Sequence, residues 1–142
     1  MKIATDIKQS QQLARILPIE SADMFYGTIA PYDYSDRMYD GGIEDIPLPK
    51  TAKKSSIIGA DEYDGEIPAW SLSALMAALP NKIEHDFKTY FFKLQTDVYS
   101  SGEKYYDLGY QGSGYWLEYE DSTELIDACY NLIIKLHERE LL

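Results

Sequence analysis

The chain has 142 residues, 45% of them apolar, and its one cysteine excludes an intrachain disulfide framework, as is usual for proteins of the reducing cytoplasm. The formal net charge of −11 argues against direct nucleic-acid binding, because an acidic surface repels phosphates. No run approaches about 20 apolar residues and the start lacks the apolar region of a signal peptide, so we expect a cytoplasmic protein without a membrane span.

The first 27 residues predict a small helical hairpin. Thr5 is a candidate helix cap, and the broken apolar stripe after it stops at Pro18, which indicates a first helix of about three turns. The stretch IESADMFY (19–26) predicts a second short helix, which Gly27 ends. We expect the apolar positions of both helices to cover the core.

Residues 28–66 show no hydrophobic periodicity and carry nine acidic against four basic residues. We interpret them as an irregular acidic segment, which is functional, partly disordered or built from short strands, within a single domain that spans 1–142. The stretch GGIEDIPLP (41–49) could supply one edge strand, because Pro47 and Pro49 prevent its extension.

The stretch IPAWSLSALMAALP (67–80) predicts a central short helix. Its apolar residues recur at the spacing of one buried helix face, and Pro80 ends it. Ser71, beside Trp70, raises the question of a reactive hydroxyl, but a nucleophilic serine needs a base and the neighbouring sequence supplies none. We therefore interpret Ser71 or Ser73 as the helix cap.

From Phe87 onward the apolar period changes to two, which predicts strands. The strand-like stretches FKTYFFKLQTDVY, KYYDLGY and YWLEYE are joined by the Gly-containing turns SSGE and QGSG. They predict a three-stranded antiparallel meander over 87–120, with one buried and one solvated face. On the predicted buried face we place Tyr90, Phe92, Leu94, Val98, Tyr106, Leu108, Tyr110, Tyr115, Leu117 and Tyr119.

The last segment predicts a helix over 122–140. DSTE forms a candidate capping box, with Asp121 as the cap and Glu124 reaching back to it. Cys129 falls within the apolar stripe of this helix, so we interpret it as a small buried hydrophobe and not as a nucleophile. The predicted fold is α+β: an N-terminal helical hairpin, a central short helix and a three-stranded antiparallel meander closed by a C-terminal helix.

Three stretches have distinctive sequences: ATDIKQSQQLARILPIESADMFY (4–26), IPAWSLSALMAALP followed by the tyrosine-rich hairpin, and DACYNLIIKLHERELL (127–142). In these residues the sequence resembles small uncharacterised proteins of phages and mobile elements of gut Bacteroidota. The resemblance covers most of the chain outside 28–66. It implies an intracellular accessory protein and carries over no catalytic residue.

No common catalytic or metal-binding motif is complete in the sequence. The turn at 112–114 (GSG) lacks the outer glycines of a G-x-S-x-G nucleophile elbow, and DEYDG (61–65) does not continue as a calcium-binding loop. His85 lies between two carboxylates, but neighbouring residues of an extended chain point apart, so we interpret this stretch as a solvated strand edge. We expect no cofactor, no metal and no enzymatic activity, although a site built from carboxylates alone would leave no motif.

The outward face of the predicted meander is the candidate partner-binding site. If the register follows the alternation, aromatic and acidic side chains share this face. The alternative is that the N-terminal helices or segment 28–66 cover these rings. The candidate site residues are Phe91, Tyr105, Trp116, Asp107 and Glu118.

Three functions are compatible with these features. The first is an accessory protein-interaction module of a phage or mobile element, which binds another protein or a second copy of itself through the acidic aromatic face. The second is an acidic DNA mimic that inhibits a nucleic-acid-binding host enzyme, and the third is a small enzyme with a carboxylate site. The absence of every common catalytic motif from the sequence favours the interaction module.

Overall fold

The computed structural model describes residues 2–27, 46–49 and 66–142, and these ranges form an α+β fold. The chain divides into two compact units, an N-terminal unit of residues 4–71 and a C-terminal unit of residues 72–142 with the first three residues. The described ranges contain three α-helices: α1 (Ile7–Leu13), α2 (Leu72–Ala78) and α3 (Leu125–Glu138). Their strands are β1 (Met24–Tyr26), β2 (Leu48–Pro49), β3 (Ile67–Ala69), β4 (Lys82–His85), β5 (Lys88–Val98), β6 (Lys104–Gln111) and β7 (Trp116–Ser122). No helix within these ranges has both the length and the apolar character needed to cross a membrane.

The predicted helical hairpin at the N-terminus is wrong in its second half. Residues 19–26 form a single 3₁₀ turn at Ile19–Ser21 and then the strand β1. β1 is the central strand of a three-stranded antiparallel sheet with the order β2-β1-β3, which we call the small sheet. Both Phe25 and Tyr26 are buried. Neighbouring residues of a strand point to opposite faces, so both faces of β1 are covered and the stretch shows no alternation.

The first helix has a different cap from the predicted one. Asp6 accepts a hydrogen bond from the Gln9 backbone N–H at 2.8 Å, and the Gln9 side chain accepts one from the Asp6 N–H at 3.0 Å, which completes a capping box. Thr5 is fully buried instead. Its hydroxyl lies 2.7 Å from the Ser10 hydroxyl and accepts a hydrogen bond from the Trp70 backbone N–H at 3.1 Å. Thr5 therefore ties α1 to the chain that follows β3.

Trp70 and Ser71 come directly after β3. Trp70 is fully buried, and its indole N–H donates to the Ser21 hydroxyl at 2.9 Å. Ser71 donates to the carboxylate of Asp23 from its backbone N–H, at 2.9 Å, and from its hydroxyl. The Ser71 hydroxyl is thus a donor to an acid that lies just before β1.

The predicted acidic segment is described only in part, because residues 28–45 and 50–65 lie outside the described ranges. Within the stretch proposed as an edge strand, β2 does lie at the edge of the small sheet, with Leu48 opposite Phe25. Proline is tolerated at such a position, since one side of an edge strand needs no backbone partner.

The C-terminal unit contains a four-stranded antiparallel sheet, which we call the large sheet, so the predicted three-stranded meander is wrong. Its strand order is β4-β5-β6-β7, and the strand that lies outside the predicted meander is β4, which contains the stretch around His85 that was interpreted as a solvated strand edge. β4 and β5 are joined by a two-residue turn in which Asp86 and Phe87 have φ of 50° and 64°. Positive φ at both central residues is the geometry of a tight hairpin turn, although Gly or Asn usually supplies it. The predicted start of the meander at Phe87 is therefore the turn itself.

The C-terminal helix α3 packs across one face of the large sheet, over β6 and β7. We call this the inner face and the opposite one the outer face. The predicted cap of α3 is wrong, because Asp121 belongs to β7 and Glu124 is an N-cap residue without a side-chain cap bond. β7 continues to Ser122, whose hydroxyl accepts a hydrogen bond from the Glu124 N–H at 3.0 Å. The buried side chains of α3 are Ile126, Ala128, Cys129, Leu132, Ile133 and Leu136.

A bulge between β6 and β7 inverts the predicted faces of β7 from Glu118 onward. The register pairs Tyr110 with Glu118 but Gln111 with Trp116, so β7 contains one extra residue at this point. Glu118 therefore shares the inner face with the fully buried Tyr110, and Tyr119 lies on the outer face. Both positions are the reverse of the prediction.

Candidate functional site

The outer face of the large sheet carries aromatic and acidic side chains that the strand register brings side by side. Asp97 lies opposite Tyr105. Gln95, Asp107 and Asp121 form one row across three strands. All of these side chains are exposed or half-buried. The outer face consists of Phe91, Lys93, Gln95 and Asp97 of β5, Tyr105, Asp107 and Gln111 of β6, Trp116, Tyr119 and Asp121 of β7, and Tyr99 just beyond β5.

Tyr99 and Tyr105 form a stacked pair at one end of the outer face. Their ring centroids are 4.2 Å apart, and their planes differ by 18°. Partial burial, together with the nearby charges of Asp107 and Asp121, raises the pKa of both phenols. Both rings therefore remain neutral at physiological pH and form an aromatic stack beside carboxylates. Such a stack suits the guanidinium or ammonium group of a basic side chain.

A second group of rings lies toward the opposite end of the outer face. The centroids of Trp116 and Tyr119 are 5.6 Å apart. Gln111 separates Trp116 from Phe91 in the register, and 59% of Phe91 is exposed. Large aromatic side chains that stay accessible on a surface are the usual anchors of protein interfaces.

The acidic residues of the large sheet are paired differently on its two faces. On the inner face, Glu118 lies 3.1 Å from the Arg139 guanidinium. Glu120 lies 2.6 Å from the Lys135 ammonium, and the hydrogen bond between them raises the pKa of Lys135. On the outer face, no lysine or arginine among the described residues forms an ion pair with Asp97, Asp107 or Asp121.

The structure brings most of the predicted site residues together on the outer face: Phe91, Tyr105, Asp107 and Trp116. Glu118 is the exception, since it lies on the inner face with 20% of its side chain exposed. Tyr119 and Asp121 belong to the outer face, but the sequence pattern did not point to them. Gly109, opposite Tyr119, is the signal that could have done so, because a glycine inside a strand often marks a bulge or a close backbone approach.

The other residues considered for chemistry lie away from this face. Burial raises the pKa of the Cys129 thiol to about 12, and a protonated, buried thiol is a poor nucleophile. His85 Nε2 lies 3.5 Å from the Asp86 carboxylate at the β4–β5 turn. In the ranges 2–27, 46–49 and 66–142, no three His, Cys, Asp or Glu side chains are grouped so that they could hold a metal ion.

No protein-family model, curated protein or solved structure matches the chain.

Proposed function

We propose that this protein is an accessory interaction module that binds a basic, extended segment of a partner protein through its outer face. The observation that carries the proposal is the set of outer-face carboxylates beside the stacked Tyr99 and Tyr105, which form no ion pair with any lysine or arginine of residues 2–27, 46–49 and 66–142. Asp107 and Asp121 lie directly opposite each other, where like charges repel. A cationic side chain of a partner would remove that repulsion. A role in a phage or mobile element is part of the proposal and rests on the resemblance of the sequence alone.

The chemistry of the outer face favours arginine and lysine in the partner. A guanidinium can stack on the Tyr99–Tyr105 pair and donate hydrogen bonds to a carboxylate at the same time. Phe91 and Trp116 offer apolar contacts for the stem of such a side chain or for a neighbouring apolar residue. The net charge of −11 adds a long-range attraction that speeds association with a basic partner.

An open strand edge next to the tyrosine pair favours an extended segment. β4 pairs with β5 only as far as Phe91, whereas β6 pairs with β5 as far as Val98. On the β4 side, residues 93–98 have no strand partner within the described part of the chain, and all six are exposed. A peptide can add to such an edge through backbone hydrogen bonds and place every second side chain over the outer face.

The opposite edge of the same sheet is occupied by side chains of α3. Lys135 Nζ donates to the backbone carbonyl of Tyr119 at 3.1 Å, and Arg139 Nη1 donates to that of Leu117 at 2.8 Å. Both carbonyls belong to the edge strand β7, and charged side chains on an edge strand hinder the addition of another strand. The two edges therefore differ, and the open one lies beside the acidic tyrosine pair.

Selection from a library of short linear peptides tests this function. It should enrich sequences rich in arginine and lysine. These peptides should bind the Tyr105→Ala/Asp107→Asn double variant at least about tenfold more weakly than the wild type, as is common when an aromatic anchor is truncated. Tyr106→Ala is the matched control, because Tyr106 is the next residue of β6 and points to the inner face. It should keep the wild-type affinity.

The variants are compared only where backbone amide spectra show that each keeps the native fold. Binding of the basic peptides should weaken with added salt, because the outer-face carboxylates are exposed to solvent. Enrichment of neutral or acidic peptides, or equal affinity of the basic peptides for the double variant and the wild type, would exclude the outer face as the site. Light scattering tests the other occupant: a dimer that the double variant dissociates would show that the face binds a second copy of this chain.

A further inference from the structure

A small cavity lies where the β4–β5 hairpin approaches the turn between β6 and β7. Its volume is about 320 Å³. Small-ligand sites are typically concave and contain a few polar groups that converge on one point. Among the side chains around this cavity are an ammonium group and four hydroxyls, and a carboxylate is not among them. The lining residues are Lys88, Thr89, Tyr90, Gly112, Ser113 and Tyr115.

The hydroxyl of Tyr115 is the centre of the hydrogen bonds at this cavity. Lys88 Nζ donates to it at 2.9 Å, and the Tyr90 hydroxyl lies 3.2 Å from it. The bond with Tyr115 raises the pKa of Tyr90, and the bonds with Lys88 and Tyr90 lower the pKa of Tyr115. Either hydroxyl can donate in the Tyr90–Tyr115 bond. When Tyr90 donates, both acceptor positions of Tyr115 are occupied, and its proton can be donated to a third group.

Lys88 keeps a positive charge at the rim of the cavity. Its hydrogen bond to Tyr115 raises the pKa of the ammonium group, and the nearby Asp86 contributes in the same direction. The ammonium also lies 5.4 Å from the centroid of the Tyr115 ring, a distance at which cation and ring attract each other. The cavity is thus a site of local positive charge in a strongly acidic chain.

Tight packing holds the two phenols in this arrangement. Tyr90 is 4% exposed and meets Tyr115 edge to face, with ring centroids 5.8 Å apart. A Cβ at Gly112 would lie 3.0 Å from the Tyr90 ring, which is closer than an ordinary contact, so glycine favours this close approach of the turn. The Gly112 N–H donates to the Tyr115 carbonyl at 3.0 Å and closes the turn. The two phenols are therefore already side by side before any ligand arrives.

We propose that this cavity binds a small oxyanion, namely the phosphate or carboxylate group of a small molecule. Lys88 supplies the positive charge, Tyr115 donates a hydrogen bond to one oxygen, and Ser113 provides a further hydroxyl in the wall. The volume accommodates an anionic group with a small organic part. The site shares no residue with the outer face, so either proposal can be refuted without refuting the other.

An NMR titration of the isotope-labelled protein tests the proposal with sodium phosphate and sodium acetate as probes, at an ionic strength held constant with sodium chloride. Saturable shifts of the amides at 88–90 and 112–115 are expected with at least one probe. Saturation with phosphate alone identifies a phosphate group as the ligand chemistry, and saturation with acetate identifies a carboxylate. Lys88→Met and Tyr115→Phe should each weaken binding about tenfold or more, because each removes a charged or polarised hydrogen-bond donor.

Lys104→Met is the matched control for the loss of charge. The Lys104 ammonium also lies 5.4 Å from a tyrosine ring centroid, that of Tyr106, but it does not line the cavity. This variant should bind the probe as tightly as the wild type. Shifts that never saturate with either probe would overturn the proposal. Undiminished binding by both Lys88→Met and Tyr115→Phe would overturn it as well, and since Tyr115→Phe keeps the ring, an intact amide spectrum for that variant separates lost binding from lost fold.

Discussion

Replacing Gly109 by alanine should destabilise the large sheet, because β7 leaves no room for a methyl group at this position. A Cβ on Gly109 would lie 2.2 Å from the carbonyl oxygen of Glu118 and 2.7 Å from the Cα of Tyr119. Carbon atoms meet favourably at about 3.5–4.0 Å, so β6 and β7 would have to separate by roughly 1 Å. Both clashing atoms belong to the backbone, which cannot rotate away as a side chain can.

Contacts on both sides of this strand pair oppose such a movement. β6 pairs with β5 along its whole length, and Lys135 and Arg139 bind carbonyls of β7. An added methyl group in a packed site usually costs about 1–3 kcal/mol, and a clash with backbone lies at the upper end of that range or above it. We therefore expect the Gly109→Ala variant to lose about 3 kcal/mol of its free energy of unfolding, with a Tm lower by roughly 10 °C.

Urea unfolding followed by circular dichroism measures this loss, with Gly102→Asn as the control. Gly102 has φ of 91° and no described atom within 4 Å of an added Cβ, and asparagine tolerates this left-handed conformation. The control should therefore stay within about 1 kcal/mol of the wild type. If Gly109→Ala also unfolds within about 0.5 kcal/mol of the wild type, as an ordinary surface substitution would, then β6 and β7 are not this close. The register that places Tyr119 on the outer face would then be wrong.

Two further predictions concern ionisable groups. Asp107→Asn should raise the free energy of unfolding by about 0.2–1 kcal/mol at low salt, because it removes the like-charge pair with Asp121, and a loss of stability in thermal unfolding would show that this pair does not repel. The Cys129 pKa of about 12 means that folding favours the neutral thiol, so its contribution to stability is complete below the unfolded pKa of about 8.5 and is lost as the pH rises toward 12. Above about pH 9 the stability of the wild type should therefore fall more steeply than that of Cys129→Ala, and parallel curves would contradict the burial of the thiol.

Strong periodicity in the sequence located the long elements of the C-terminal unit, although the predicted three-stranded architecture is wrong. β5 lies within a stretch where apolar residues alternate, β6 and β7 overlap the next two such stretches and extend beyond them by one and two residues, and α3 lies within the predicted helix 122–140. β4 was not included in the predicted sheet because Ile83 is its one buried residue, between Lys82 and Glu84. One apolar position among charged residues gives no alternation, so backbone pairing with β5 decides this strand and local propensity does not.

The N-terminal unit was mispredicted for a related reason. The three residues of β1 are all apolar or aromatic, and such a short run has no period that separates a strand from a helical turn. Pairing with β2 and β3 on its two sides fixes β1 as a strand. These partners are distant in sequence, and β2 lies in a segment that shows no hydrophobic pattern at all.

Alternation along the strands predicted the faces of the candidate-site residues correctly up to the bulge in β7. A single extra residue at the bulge moved Glu118 to the inner face and Tyr119 to the outer face. Besides Gly109, the helix α3 contained a signal of this inversion. Lys135 of α3 and Arg139, the C-cap residue of α3, lie one helical turn apart, and cations beside the face of a sheet favour acidic residues on that face.

The acidic residues of the large sheet differ in whether a cation of the described part of the chain pairs with them. Glu118 and Glu120 need α3, since two carboxylates on an inner face would otherwise be half-buried without a cation. Asp107 and Asp121 have no cationic partner of this kind among the described residues, and they lie opposite each other on an accessible face, where they repel. Solubility alone does not require this arrangement, since serine, threonine or asparagine would serve at either position without repulsion. Unfavourable local arrangements, such as two like charges opposite each other, are retained mainly at functional sites. Here the like-charge pair lies beside a stacked tyrosine pair and an open strand edge. A basic segment bound there would provide for the outer face the cations that α3 provides for the inner face.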